Sequence, residues 1–305
     1  MCILALGLEC HPEWPLVLVH NRDEETDRET DPCGEHADGL IYARDAVAGG
    51  TWLGLNRETG AFAALTNVRS RVPRPTGGPS RGGLVVDALK RPADEVAASA
   101  AAFSAFHLWH GSAFPGKLQA RFTRSWPSPP TTDDSGDGAW RATSEAVGPG
   151  EVVARSNEAS AGVSWPKTRQ LRGAAARTLA ELPDAATPEE LRDQLAAILM
   201  GVLDEKTIDA LGGDAEQLAA SPLPTWKERV LQRGLLVSRR ACLAAPAGEV
   251  EWKYGTGNQS VLLSSARRRC VYLFQRTLDG AEQTPGPWSV WEVPWPAEEA
   301  PAPKA

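Results

Sequence analysis

The sequence predicts a layered α+β protein. Three observations carry that expectation. Strand-length apolar runs cluster in blocks, breaker-poor helical stretches separate the blocks, and turn residues join neighbouring strands within each block. The order is strands, helix, strands, two helices, strands. Antiparallel strands packed in layers with helices satisfy that order better than a doubly wound parallel sheet. The chain has 305 residues, enough to bury a large core. It reads as a single domain over 1–295, with a loop insertion near 127–138 and a disordered tail at 296–305.

The elements follow in order. CILALGL (2–8) and PLVLVHN (15–21) bracket ECHPEW, which reads as a hairpin turn. Their nearly continuous apolar character points to strands covered on both faces. An acidic-polar stretch (24–38) precedes LIYARD (40–45), TWLGLN (51–56) and AFAALTNV (61–68), with a turn at 57–60 between the last two. Residues 84–106 are rich in Ala, Val and Leu and predict a helix interrupted near Pro92. FHLWHGS (106–112) and KLQARFT (117–123) form a further strand pair, and VGPGEVVARSN (147–157) a strand running into a loop. Helical spacing returns over 168–182 and 188–203, the second opening with Thr187 as N-cap, Pro188 in the first turn and Glu189 and Glu190 behind it. RRACLAA (239–245), VEWKYG (250–255), SVLLSS (260–265), RCVYLFQR (269–276) and WSVWEV (288–293) read as the closing strands.

Composition excludes several classes. A net charge of −7 and a pI near 5.4 argue against a nucleic-acid binder, which needs excess cations to displace counterions. The five cysteines are scattered with no C-x-x-C pair, as expected of free thiols in a reducing compartment. The apolar run at 3–8 is too short for a signal-peptide core or a membrane span, so the expectation is a cytoplasmic protein without membrane insertion.

Cys2 is the residue most able to carry chemistry. Aminopeptidases remove an initiator Met before a small residue, and the chain would then begin with a thiol and an α-amine on one residue. That amine titrates near neutral pH and can take the thiol proton, so one residue supplies nucleophile and base. A turn centred near Pro12 sets position 22 opposite position 2 and brings Asn21-Arg22-Asp23-Glu24 beside the thiol. A cation there would stabilise a thiolate and a carboxylate would orient the amine. Neighbouring strand residues face opposite sides, so Arg22 and Asp23 can both serve Cys2 only at a bulge or a strand end. The bland reading is a set of charges ending a strand.

Met-Cys-Ile at the start, Asn-Arg-Asp-Glu (21–24), Gly-Gly-Thr-Trp-Leu-Gly (49–54), Leu-Thr-Asn (65–67), Ser-Arg-Gly (80–82), Ser-Asn (156–157) and Tyr-Gly-Thr (254–256) occur in that order. The series resembles the NRDE family, also called the transport and Golgi organisation family, over roughly residues 1–275. One departure is Gly257, where members of that family often carry Arg. The family in turn looks like the cholylglycine hydrolase and penicillin V acylase branch of the N-terminal nucleophile hydrolases. That resemblance implies a four-layer αββα sandwich of two mainly antiparallel sheets and cleavage of an amide bond by an N-terminal Cys. It implies Cys2 as nucleophile supported by Arg22 and Asp23, with oxyanion donors at Asn67 and through the Asn157 side chain. Turn-capping is the plain alternative for both asparagines.

Other signals are weaker. Gly78-Pro79-Ser80-Arg81-Gly82 fits G-x-S-x-G, but a Pro-rich loop stands where a nucleophile elbow needs a strand. Ser80 as N-cap of the next helix, with Arg81 and the nearby Arg69, Arg71 and Arg74, could instead hold an anion. Asn21 and Trp52 complete the expected ligand-binding set with Arg69, Ser80 and Arg81. His107-x-x-His110 lacks further ligands for a metal, and Asp133–Gly138 lacks the flanking helices of a calcium loop. No metal or cofactor is expected. The functional expectation is an N-terminal cysteine hydrolase of an amide or thioester in a small acyl-containing substrate. The alternative is a haem, lipid or acyl-CoA binding or transfer protein on the same fold.

Overall fold

The computed structural model of the protein describes residues 2–68, 78–127, 140–158, 164–203, 206–207, 227, 229–231, 234–243 and 251–297. The strands are β1 (Cys2–Leu8), β2 (Leu16–Glu25), β3 (Thr30–Glu35), β4 (Leu40–Asp45), β5 (Leu53–Asn56), β6 (Ala61–Asn67), β7 (Phe106–Ser112), β8 (Gln119–Pro127), β9 (Trp140–Ala146), β10 (Glu151–Arg155), β11 (Tyr254–Ser265), β12 (Cys270–Asp279), β13 (Thr284–Pro285) and β14 (Ser289–Pro294). The helices are α1 (Arg81–Lys90), α2 (Ala93–Ser99), α3 (Pro166–Glu181), α4 (Pro188–Leu199) and α5 (Arg239–Leu243).

Two seven-stranded antiparallel sheets result. One runs β10-β1-β2-β11-β12, with β13 and β14 both pairing β12; the other is a meander in chain order from β3 to β9. Alternation along the strands builds the layers. Leu4, Leu6, Leu16 and Leu18 of the first sheet meet Ile41, Leu55, Phe62 and Trp109 of the second. Ile3, Ala5, Val17 and Val19 face the other way, onto Leu171, Leu179, Leu191 and Leu195 of α3 and α4. Leu40, Ala63 and Leu65 take Leu84, Val85, Leu89 and Val96 of α1 and α2. The order is helix, sheet, sheet, helix, the αββα sandwich that the family resemblance implied. The continuous apolar runs of β1 and β2 reflect cover on both faces, as expected. At the start of α4, Thr187 Oγ1 accepts the Glu190 N–H at 3.2 Å and Glu190 Oε2 accepts the Thr187 N–H at 2.8 Å. This is the expected capping box, worth about 1 kcal/mol.

Several expectations needed correction. β2 does not end at Asn21 but continues through the charged residues to Glu25, because β11 pairs with it there: Tyr254↔Glu25, Gly255↔Glu24 and Thr256↔Asp23. β3 lies within the acidic-polar stretch 24–38, and β9 in residues to which no element was assigned. The run 239–245 was expected as a strand, but its described part is helix α5, and β11 starts only at Tyr254. Residues 128–138 of the insertion fall outside the described residues, as do tail residues 298–305.

The glycines of two motifs meet. Thr51 N donates to Gly82 O at 3.3 Å, and a Cβ on Gly50 would stand 2.7 Å from Gly82 Cα. The loop before β5 therefore needs hydrogen at Gly50 to touch the first turn of α1, whereas a Cβ on Gly82 would only be tight, 3.0 Å from Thr51 N. Gly50→Ala is expected to lower stability by about 1–3 kcal/mol by pushing α1 away, measurable by thermal denaturation.

Candidate functional site

Cys2 is paired with Arg22 in the β1–β2 ladder, the register expected from a turn centred at Pro12. Both lie on the face between the sheets. Cys2 N donates to Asn157 Oδ1 at 3.1 Å, Ser156 Oγ donates to Cys2 O at 2.7 Å, and Asn157 Nδ2 donates to Asn67 O. Thr66 Oγ1 donates to Ser156 O at 2.8 Å. The end of β6 and the segment after β10 thus close around the first described residue of the chain. That segment is held from behind by buried Glu158, whose carboxylate accepts from Ser156 N at 2.6 Å, Trp165 N at 3.3 Å and Thr168 Oγ1.

Asp23 alternates to the opposite face at the end of the Cys2 pairing, where β11 carries a bulge between Thr256 and Asn258. Thr256 Oγ1 donates to Asp23 Oδ1 at 2.6 Å and Tyr254 Oη to Asp23 O at 2.8 Å. Burial raises the Asp23 carboxyl to about 6, although the amino terminus, the buried Lys167 and the Thr256 hydroxyl all pull it down. A carboxyl raised from about 4 to about 6 on folding favours the protonated native state. Its stabilising contribution is complete below pH 4 and lost as pH rises through 6. Asp23→Asn is therefore expected to raise stability at pH 8, by a few kcal/mol at most, and to change it little at pH 4. Denaturant titrations at the two pH values check this.

A cavity of about 360 Å³ opens beside Cys2. It is lined by Cys2, Arg22, Trp52, Asn67, Ser80 and Arg81 of the expected set, and by Glu24, Arg28, Asp45 and Thr51. The Arg22 guanidinium lies 4.6 Å from the Trp52 ring centroid and its Nη2 is 2.9 Å from Asp45 Oδ2. Arg28 Nε reaches the same oxygen at 2.7 Å. Burial pulls the Asp45 carboxyl upward, but the Arg28 hydrogen bond, the Ala48 N–H and Arg22 outweigh it and hold the group below its usual range. Burial also pushes the Cys2 thiol up, against the amino-terminal charge, the Asp23 N–H and Arg22. The sequence pointed to a stabilised thiolate; in the folded chain desolvation outweighs the cation.

Asn21 does not join the cavity lining. It faces the helix layer, where its Nδ2 donates to Leu199 O at 2.9 Å and Leu235 O at 2.8 Å, so its position is explained by helix anchoring rather than ligand binding. Arg69, Arg71 and Arg74 lie outside the described residues. Ser80 has the N-cap position of α1 without a side-chain cap bond, and Arg81 Nη1 donates to Ala105 O at 3.1 Å. His107 sits 3.2 Å from Ser156 O and His110 2.9 Å from Thr123 Oγ1, both buried with pKa values lowered by desolvation to about 3 and about 4. Gly257 is the residue skipped at the β11 bulge, and Arg239 Nη2 comes within 3.5 Å of where its Cβ would be. Sequence reasoning missed Ser156, Glu158, Asp45 and Thr256 as individual site residues, although Ser-Asn and Tyr-Gly-Thr had been singled out as motifs.

Among the described residues no helix is long and apolar enough to cross a membrane, and no cluster of His, Cys, Asp and Glu could hold a metal. No curated protein matched the chain in a similarity search. The family model described as Transport and Golgi organisation 2 matches residues 1–280, the span that contains Cys2, the Arg22–Asp45 pair and the Asn67–Asn157 contact, and the chain belongs to that family.

Proposed function

We propose that the protein hydrolyses an amide or thioester bond in a small acyl-containing substrate, with Cys2 as nucleophile once Met1 is removed. The observation that carries this reading is the Cys2 thiol on the wall of a 360 Å³ cavity while its nitrogen is held by Asn157 Oδ1. With Met1 gone, that nitrogen is the α-amine, and it takes the thiol proton as Sγ attacks the substrate carbonyl. The amine proton then passes to the leaving amine or thiol, and water releases the acid from the Cys2 thioester. Two donors support oxyanion stabilisation. Alternate residues of β6 send their N–H groups to opposite neighbours; Leu65 N bonds Trp52 O, which puts the Asn67 N–H on the same, cavity-facing side. Asn157 Nδ2 has a second hydrogen beyond the one given to Asn67 O. One well-placed donor is worth about 2.7–4 kcal/mol.

The cavity lies at the small end of ligand sites, and its charged lining suits a compact polar substrate. Carriage of haem or a lipid would call for more apolar wall than Trp52, Leu65 and Ala48 supply. Five free thiols suit a cytoplasmic setting.

Intact mass spectrometry of protein purified from its native host is expected to show Met1 removed. Incubation with a panel of amides and thioesters is then expected to give an acyl adduct on the Cys2 peptide. Retention of Met1 would defeat the nucleophile reading, and stoichiometric binding with unchanged release would favour carriage.

A further inference from the structure

The Arg22 guanidinium is shared among several partners. It stacks on Trp52, stands 4.0 Å from Glu24, and bonds Asp45 Oδ2, the oxygen that also receives Arg28. The other oxygen of Asp45 accepts the Val47 and Ala48 N–H groups at 3.2 and 2.9 Å. Asp45 N in turn donates to Gly50 O at 2.8 Å. One carboxylate on the second sheet therefore fixes Arg22 of the first sheet and Arg28 of the turn after β2, and folds the loop that walls the cavity. A planar guanidinium held by a stack and an ion pair has little rotational freedom, and the charge that reaches its neighbours is reduced by the carboxylate beside it.

We infer that Asp45 is a positioning residue of the Cys2 site: it orients Arg22 across from the thiol and offsets the guanidinium charge, setting how readily Cys2 ionises. The inference rests on the reading of Cys2 as the reactive residue. Other charged groups facing the cavity are Glu24 and Arg28, from β2 and the turn after it, and Arg81 from α1. The amino terminus and Asp23, with Lys167 near it, stand at the Cys2 end of β2. Asp45 is the acid hydrogen-bonded to Arg22, so its removal acts on the thiol chiefly through that arginine and, to a smaller extent, through Arg28, which loses the same oxygen.

Cys2 alkylation by iodoacetamide, followed by peptide mapping as a function of pH, tests this without a substrate. Asp45→Asn is expected to move the profile midpoint down by about one pH unit, roughly tenfold faster alkylation at pH 8. Arg22→Gln is expected to move it up. In the Arg22→Gln background, Asp45→Asn is expected to shift the midpoint clearly less, because only Arg28 then loses its partner. An unchanged midpoint in a folded Asp45→Asn protein would overturn the inference. So would a higher plateau at an unchanged midpoint, which would mean only that the loop had opened, or an equal shift with and without Arg22. Absence of any acyl adduct alongside the expected shifts would retire the hydrolase reading and leave the role of Asp45 standing.

Discussion

Cys2→Ala is expected to abolish turnover of any amide or thioester that the wild-type protein cleaves, by a factor on the order of 10⁴ or more. Loss of the sulfur removes the atom that forms the covalent intermediate. Of the other described cavity residues, Arg22, Arg28 and Arg81 are cations and Glu24 and Asp45 carboxylates; the Thr51 hydroxyl is donated to Ala43 O, and Ser80 has no amine of its own to take its proton. Folding should be nearly untouched. Cys2 sits at the start of β1, and its ladder and side-chain contacts to Arg22, Asn157 and Ser156 run through main-chain atoms that alanine keeps. A melting temperature close to wild type together with lost turnover is the result that identifies a nucleophile. Alanine is also small enough for Met1 to be removed, so processing is not confounded with chemistry. Cys242 is the natural control: it too is buried, burial raises its thiol to about 12, and its replacement by alanine should cost some stability while leaving turnover per folded molecule intact. Full activity in the Cys2→Ala protein would end the hydrolase reading at once.

What could be read from sequence was local. The Cys2–Arg22 pairing followed from the position of a tight turn, and the Thr187 box from four consecutive residues, because in both cases the partners are near in the chain. β3 and β9 gave no signal because they sit at the two edges of the second sheet, where a strand can be polar and still be held by its one neighbour. The apolar run at Ala241–Leu243 fits a strand or a helix by length; in the folded chain it is helix α5, with Cys242 N donating to Ser238 O at 3.1 Å. The site shows the same division. Arg22 facing Cys2 was legible, whereas Thr256 reaches Asp23 across 233 residues and Asp45 reaches Arg22 from the opposite sheet. Asn21 looked like part of a charged motif serving the thiol, but strand alternation turned it to the helix layer, where Leu199 and Leu235 needed a donor.

Asn157→Ala is expected to lower kcat by roughly 10²–10³-fold with little change in KM. The side chain does two things in the folded chain: Oδ1 accepts from the Cys2 nitrogen at 3.1 Å, and Nδ2 donates to Asn67 O. In the proposed reaction the first keeps the amine aimed at its own thiol, and the second hydrogen of Nδ2 meets the oxyanion. Both interactions strengthen as charge develops, so their loss falls on the chemical step rather than on substrate binding. Alanine also leaves the buried Cys2 nitrogen and the partly buried Asn67 carbonyl without this partner, so stability should fall by about 1–3 kcal/mol. Asn157→Asp separates the two roles. It keeps an oxygen for the amine and removes the donor, and it is expected to lose most of kcat while the Cys2 amine remains held. Steady-state kinetics corrected for folded fraction provide the check. An Asn157→Ala protein that melts early yet keeps its specific activity would reduce Asn157 to a cap on the loop after β10.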